Sequence, residues 1–316
     1  MRYDVIAIGE YLVDFTPSGT GPMGNPCYEM NPGGAPANCM AACTGAGGTT
    51  AVIACVGDDL FGRFLRKKLV ENGIGDEYVQ VTKKASTTLV YVSLDERGER
   101  EFAFVRKPGA DTMIEEGTVG EEIGQLTKVL HFGSLSLTDE PSRSSTLNMV
   151  GKARKAGVRI SYDPNYRSGL WASEREAVYW MRQGLSLADS VKMSGEELEL
   201  ITGYTGDQIQ EGIQALLESG IKEVYITLGA GGAYYGTVEE IGFVPGFHVE
   251  AVDTTGCGDA FTGAVLYMAC RHPEISMERR VRFANAAGAL CATRYGGMTA
   301  MPRREEIERL LGDIKL

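Results

Sequence analysis

Asp253-Thr254-Thr255-Gly256-Cys257-Gly258-Asp259-Ala260-Phe261 sets two close glycines and a carboxylate where an apolar helix begins. Phe261, Ala264, Val265, Met268 and Ala269 recur at helical spacing, so Ala260 to Cys270 reads as a buried helix. The first N–H groups of that helix, supplied from Gly256 to Asp259, have no acceptor within it and stand at the positive end of its dipole. Such a turn holds phosphate, glycine lets the anion come close to the backbone, and Asp259 is placed to take a proton from an attacking hydroxyl. On residue type alone, Asp259 serves equally well as a helix cap.

Outward from this helix the chain alternates. A buried first strand, Tyr3 to Gly9, is followed by strand-like runs at Ala51 to Val56, Val129 to Phe132, Val158 to Asp163, Ser190 to Met193 and Val224 to Leu228. Helical patterns lie between them at Ala37 to Thr44, Leu60 to Glu71, Thr146 to Ala156, Glu174 to Leu185 and Ile209 to Glu218. This order predicts an α/β fold with a mostly parallel central sheet covered on both faces, and a ligand crevice at the carboxyl ends of its strands. Asp14, Asp163, Lys192 and Gly229 fall at or just past such ends.

Two segments break the alternation. Glu10 to Met30 is rich in turn residues, and in Thr87 to Arg106 two strand-like runs flank Asp95-Glu96-Arg97-Gly98, a hairpin signal. In that hairpin Phe102 and Phe104 would share one face and Glu101 and Ala103 the other. Together the segments would make a small sheet that serves as a lid or a dimer contact, since a lone hairpin is marginal and free strand edges invite pairing. With no repeat and no linker, residues 1–316 read as one domain with lid segments near 10–30 and 87–106.

Composition narrows the function. With 43% apolar and 23% charged residues the chain is ordinary for a soluble protein, and a net charge of -11 argues against nucleic-acid or anionic-membrane partners. Seven cysteines without a C-x-x-C pair fit free thiols in a reducing, cytoplasmic setting. No run reads as a membrane span: the uncharged stretch Asn31 to Gly57 is broken by Pro32, Pro36 and many glycines.

Further motifs carry binding chemistry, each beside a plainer reading. Gly33-Gly34-Ala35-Pro36-Ala37-Asn38 offers a polyol close backbone approach and an amide, or is simply a structural turn. Asp163-Pro164-Asn165-Tyr166-Arg167 brings a carboxylate, an amide and a guanidinium together; Arg167 would clamp a phosphate, or the stretch is an Asx turn with a solvated Arg. Thr227-Leu228-Gly229-Ala230-Gly231-Gly232 would admit a nucleotide phosphate, and Lys192 would neutralise one. Gly19 to Gly24 matches the dinucleotide fingerprint in letters only, because no strand directly precedes it and Pro22 spoils a helix start. A Walker A loop is missing, and three histidines far apart in sequence with no Ser elbow argue against a hydrolase triad.

Taken as a set, these residues resemble the ribokinase-like (PfkB) sugar kinases. Gly33 through Gly48 is similar to that family's first signature and Asp253 to Phe261 to its second, DTxGAGD, and the similarity runs from Gly9 to Pro302. Gly9-Glu10 with Asp14-Phe15, the Gly33 to Asn38 turn, His131-Phe132-Gly133-Ser134 and Asp163-Pro164-Asn165 with Arg167 and Leu170-Trp171 resemble the fructokinase branch. The resemblance implies a three-layer sandwich with a small β lid, and transfer of the ATP γ-phosphate to a ketohexose hydroxyl, most simply D-fructose at O6. It makes Asp259 the catalytic base and Gly256, Cys257 and Gly258 the anion hole. Asp14, Gly33, Gly34, Asn38, Asn165 and Arg167 would bind the sugar, with Arg106 closing over it from the lid edge. Lys192, Thr227, Gly229, Gly232 and Asn285 would serve ATP, Glu197 would hold Mg2+ through water, and Asp253 and Thr255 would form a monovalent-cation (K+) loop. The lid would also join two subunits in a homodimer.

Two positions depart from the family pattern: Cys257 stands where Ala is usual, and Ser194-Gly195-Glu196-Glu197 replaces Asn-x-x-Glu. The competing readings are a kinase of ribose or 2-keto-3-deoxygluconate, a non-catalytic sugar-binding regulator that kept the fold, and a Rossmann-type oxidoreductase.

Overall fold

The computed structural model describes residues 1–94, 100–119 and 122–312. Among these residues two sheets contain thirteen strands: β1 Tyr3–Ile8, β2 Leu12–Thr20, β3 Pro26–Gly33, β4 Thr50–Gly57, β5 Val79–Thr82, β6 Leu89–Leu94, β7 Arg100–Val105, β8 Thr127–Gly133, β9 Arg159–Asp163, β10 Ser190–Ser194, β11 Glu223–Thr227, β12 Gly232–Gly236 and β13 Ile241–Pro245. The helices are α1 Ala35–Gly45, α2 Leu60–Glu71, α3 Ile123–Leu126, α4 Ser142–Lys155, α5 Glu174–Leu185, α6 Gly195–Thr202, α7 Ile209–Glu218, α8 Cys257–Arg271, α9 Met277–Ala292 and α10 Arg304–Leu311.

The nine-stranded sheet runs β13-β12-β11-β10-β9-β8-β1-β4-β5, parallel from β5 to β11 and antiparallel at the β11-β12-β13 edge. Its central strands β1 and β4 are buried at every position, as parallel strands covered on both faces must be. Alternation sorts their side chains. Val5, Ala7, Val52 and Ala54 pack with α1, α2, α8 and α9, whereas Ile6, Ile8, Ile53, Leu130 and Ile160 pack with α4 to α7 on the other face. The result is a three-layer α/β/α sandwich. Chain order reverses between β1 and β8, so a crevice opens at the carboxyl ends there.

The covering helices follow from local sequence. Asp59 caps α2 by accepting the Gly62 N–H, Ser173 caps α5 by accepting that of Glu176, and each helix buries one stripe, such as Leu65 and Leu69 or Ala177 and Met181. Helix α8 is different, buried at every residue from Ala260 to Met268, and it begins at Cys257, three residues before the expected start. It lies hard against α1: a Cβ at Gly263 would come within 2.3 Å of the Cys39 carbonyl oxygen. That close approach is what brings side chains near the starts of the two helices into contact.

The two irregular segments form a separate four-stranded sheet, β3-β2-β6-β7, in which β2 pairs parallel with β6. Glu10 to Met30 is therefore mostly strand, with a register shift between Pro17 and Gly19. The hairpin β6-β7 pairs Val90 with Phe104 and Tyr91 with Ala103. The Asp95-Glu96-Arg97-Gly98 turn and the Glu101 and Phe102 side chains lie outside what is described. No helix among the described residues is long and apolar enough to cross a membrane.

Candidate active site

A cavity of about 620 Å3 opens at the crevice between the main sheet and the small one. At its floor α8 begins. Gly256 takes φ 78°, a left-handed conformation natural to glycine, and a Cβ there would meet Met301 at 2.9 Å and Gly297 at 3.3 Å. The Cys257 N–H reaches back to the Thr254 carbonyl over 3.3 Å, and the first helical bond is Ala260 N–H to Gly256 O. The Gly258 and Asp259 amides between them take no backbone acceptor among the described residues. Nor does the Gly256 amide, so of the expected Gly256, Cys257 and Gly258 set only the Cys257 N–H has a backbone acceptor among the described residues.

Lys192 approaches the same turn from β10, and a Cβ on Gly258 would lie only 3.0 Å from its Nζ. Its ammonium donates to Asp163 Oδ2 at 3.1 Å, while Asp163 Oδ1 accepts the Asn165 N–H. Burial works to lower the Lys192 pKa, but Asp163, Glu197 and Asp259 outweigh it and raise it, so the residue stays a cation. Asn38, on α1, donates its amide to Asp259 Oδ2 at 2.9 Å. Burial pushes the Asp259 carboxyl up to about 6, helped by Asp163 and opposed by the Asn38 hydrogen bond, Lys192 and Arg167.

Two more carboxylates face the cavity from the β1–β2 corner. Asp14 is raised to about 7 by burial first and by the charge of Asp259 second, with Arg167 opposing. Gly33 leaves room for this side chain, since a Cβ there would stand 2.0 Å from Asp14 Oδ2 and displace it. Glu10 is 3% exposed; its Oε1 accepts the Ala35 N–H at 2.9 Å, capping α1 where Gly34 has no side chain to do so, and burial raises its carboxyl to about 7. Asn165, at φ 44°, and the exposed Arg167 complete the wall at the mouth, together with Tyr166, Val90 and Phe104.

Asp14, Gly34, Asn38, Asn165, Arg167, Lys192, Glu197, Thr255, Gly256, Gly258 and Asp259 therefore share one cavity. Arg106 does not join them. Its guanidinium, 6% exposed, binds Asp111 at 2.7 Å, the Thr138 hydroxyl at 2.9 Å and the Leu135 carbonyl at 3.2 Å, which commits it to the base of the small sheet. Asn285 is also engaged structurally, donating to the Val244 and Pro245 carbonyls at the end of β13. Thr227 stands in register with Ser194 beside the cavity, its hydroxyl on the Met193 carbonyl; Gly229 and Gly232 follow at φ 54° and 118°.

Glu197 and Ser194 form a capping box: Ser194 accepts the Glu197 N–H, Glu197 Oε2 accepts the Ser194 N–H at 2.8 Å, and Oε1 accepts the Tyr166 N–H at 2.7 Å. Ser caps as well as Asn does, which accounts for the departure at this position. Among the described residues no cluster of three or more His, Cys, Asp or Glu could hold a metal directly. Asp253 accepts the Thr255 and Gly296 N–H groups at 2.7 and 3.0 Å, folding its loop against the start of α8.

Glu10, Val90 and Phe104 are among the wall residues that sequence reading did not assign, as are Leu12, Leu135, Tyr166, Glu196 and Leu200. Glu10 had one signal, its position straight after Gly9 at the end of the first strand; Val90 and Phe104 lie on the inward face of a hairpin that was itself legible.

The model of the pfkB family of carbohydrate kinases matches residues 3–304. The chain belongs to that family. Probable fructokinase-4 of Arabidopsis thaliana is 39% identical over 97% of this chain and 96% of its own length. Among solved structures, fructokinase from Vibrio cholerae O395 with fructose, ADP and calcium ion bound superposes with a TM-score of 0.88 at 35% identity, covering 98% of this chain and 99% of that one. Aminoimidazole riboside kinase from Salmonella enterica, complexed with its riboside and an ATP analogue, gives 0.84 at 30% identity, covering 98% and 100%. As a pfkB-family member the chain is an ATP-dependent carbohydrate kinase, and its α/β fold with a second small sheet is shared with these neighbours.

Proposed function

We propose that this kinase phosphorylates D-fructose, giving fructose 6-phosphate, with Asp259 as the general base. The observation that carries this is the meeting in one cavity of Asp259, held by Asn38, with the unengaged Gly258 and Asp259 amides at the start of α8. Asp14, Asn38 and the Gly34 backbone orient the sugar so that one hydroxyl lies against Asp259, which takes its proton as the phosphoryl group arrives. The helix start and Lys192 stabilise charge on the transferring group. ATP lies along Thr227, Gly229 and Gly232: the space beside Gly229 is open, whereas Gly232 is pressed against the Val244 carbonyl oxygen, 2.2 Å from where a Cβ would stand, and shapes the turn.

Mg2+ on the ATP supplies further charge neutralisation when bound. Glu197 fits it through water, because each carboxylate oxygen already accepts a backbone N–H and keeps a lone pair for a hydrogen-bonded water. K+ suits the Asp253–Thr255 loop, and faster turnover in KCl than in tetramethylammonium chloride is expected from it. A sugar acid would have Arg167 alone to meet its carboxylate, since Arg106 is committed to Asp111. The outer face of the small sheet carries Tyr28, Tyr91 and Val105, 41%, 37% and 57% exposed, and a second subunit's lid would cover them in a homodimer. A monomer by sedimentation removes that part alone. All seven cysteines are free, as a cytoplasmic setting requires.

The test is ADP release with MgATP across hexoses, pentoses, ribosides and sugar acids. Fructose should give the highest kcat/KM. Another acceptor preferred by about tenfold, ~1.4 kcal/mol of transition-state preference, would overturn the fructose assignment, and no turnover with any sugar would make the chain a binder.

A further inference from the structure

Cys257 enters the chemistry above only through its backbone, yet its side chain stands beside a second thiol. It opens α8, is half-buried, and packs with Met301 onto the small cluster of Ala42, Ala260, Cys291 and Ala300. Cys291 is buried on α9; its Sγ lies 3.5 Å from the Thr255 carbonyl oxygen, to which it donates, and within hydrogen-bond reach of the Cys257 thiol. The helices come close enough for this because α9 carries Gly288 one turn earlier, where a Cβ would sit 3.3 Å from the Cys257 carbonyl oxygen. The cavity reaches Gly256 and Gly258 on either side of Cys257, so a small oxidant has a path. Cys39 and Cys43, by contrast, lie deep between helices, 1% and 0% exposed.

We propose that Cys257 and Cys291 form a reversible oxidation site, in which a peroxide drives a disulfide across the α8–α9 contact and disables the phosphate-binding turn. The proposal rests on reading that turn as the kinase's anion hole. Cys257 is the attacking thiol, because it is the more exposed of the two and stands nearer the cavity. Its sulfur attacks the peroxide O–O bond and becomes a sulfenic acid, releasing one water; the Cys291 sulfur then displaces the sulfenic oxygen as a second water, and the S–S bond forms. Both electrons come from the thiols and the peroxide is reduced. The disulfide ties the first turn of α8 to α9, where the Gly258 and Asp259 amides must stay aimed at the phosphoryl group.

The experiment exposes the full-length enzyme to hydrogen peroxide and follows turnover alongside non-reducing peptide mapping. A peptide pair linking Cys257 to Cys291 should appear as turnover falls, by roughly 10²-fold if an oxyanion-type donor is lost, and both changes should reverse with dithiothreitol. Cys291→Ala should keep basal turnover and form no linked peptide, and its peroxide-treated activity should no longer return with dithiothreitol once Cys257 is over-oxidised. Saturating MgATP should slow the oxidation. Peroxide treatment that leaves both thiols reduced, that links other cysteines, or that forms the bond with turnover unchanged would overturn the proposal. Mapping reads the bond without any assay of activity, so an untreated enzyme inactive on every sugar would count against the kinase reading and leave the oxidation site to be decided by the peptides.

Discussion

Asp259 has a basicity suited to its work. Held near 6 by burial against the pull of Asn38, Lys192 and Arg167, it is ionised at neutral pH yet keeps more affinity for a proton than an exposed Asp. The rate should therefore rise with pH through about 6. Asp14, raised to about 7 partly by the charge of Asp259, interacts with it, so the limb reports apparent values that belong to the pair. Asp259→Asn preserves the shape of the side chain and removes the proton acceptor. We expect kcat to fall by ~10²-fold or more while the fructose dissociation constant changes little, and the acidic limb to vanish from the residual rate. Near-normal turnover in a folded Asp259→Asn protein would move the base elsewhere. This residue was legible because its neighbours in sequence are its neighbours in the site. Asn38, 221 positions away in sequence, was legible only by its motif, and its bond to Asp259 depends on the α1–α8 approach at Gly263 that no local pattern reveals.

At the scale of elements, the small sheet hangs on polar joints. Thr87, just ahead of β6, bonds Asp59, and Thr88 bonds Asp111; just after β7, Arg106 binds the same Asp111. Burial alone would lower the Arg106 pKa, but the Asp111 carboxylate more than offsets it. Truncating one partner of such a pair leaves a buried charge alone, at a cost of about 3–5 kcal/mol. Arg106→Ala should therefore lower the urea midpoint and speed hydrogen exchange in β6 and β7 with or without sugar. Unchanged stability with only a raised KM for fructose would instead mean that Arg106 touches the sugar. The sequence predicted α2, α5 and α7 to the residue, since each carries one apolar stripe between clear ends. It missed α9, buried on most sides with a faint stripe, and β12 and β13, five-residue strands that begin or turn on glycines. Strands β2 and β3 were hidden for another reason: they face solvent over much of their length and so show no alternation.

Across the whole molecule, assembling this site weakens the fold near neutral pH. Glu10, Asp14 and Asp259 are all raised, to about 7, 7 and 6, while in the unfolded chain they return to ordinary carboxylate values near 4. Between those limits the native state binds more protons than the unfolded state, so unfolding free energy falls as pH rises from about 4 to about 7. The stabilisation from these groups is fully present below about 4 and lost through the folded values. His131, buried and lowered to about 3, acts in the opposite sense, contributing stability above its unfolded value and losing it as pH falls; one imidazole is outweighed by three carboxylates. Asp4, lowered to about 2, contributes its loss only in stronger acid. The ligand-free enzyme should thus melt higher at pH 5.5 than at pH 7.5, by on the order of a few degrees, and Asp14→Asn should raise the melting temperature at pH 7.5 while shrinking the difference. Calorimetry of the wild type and this variant at the two pH values decides the matter. A ligand-free midpoint that is flat or rises with pH over this interval would mean that the site carboxyls are ionised at no cost to the fold, and the rate limb near 6 would then need another group.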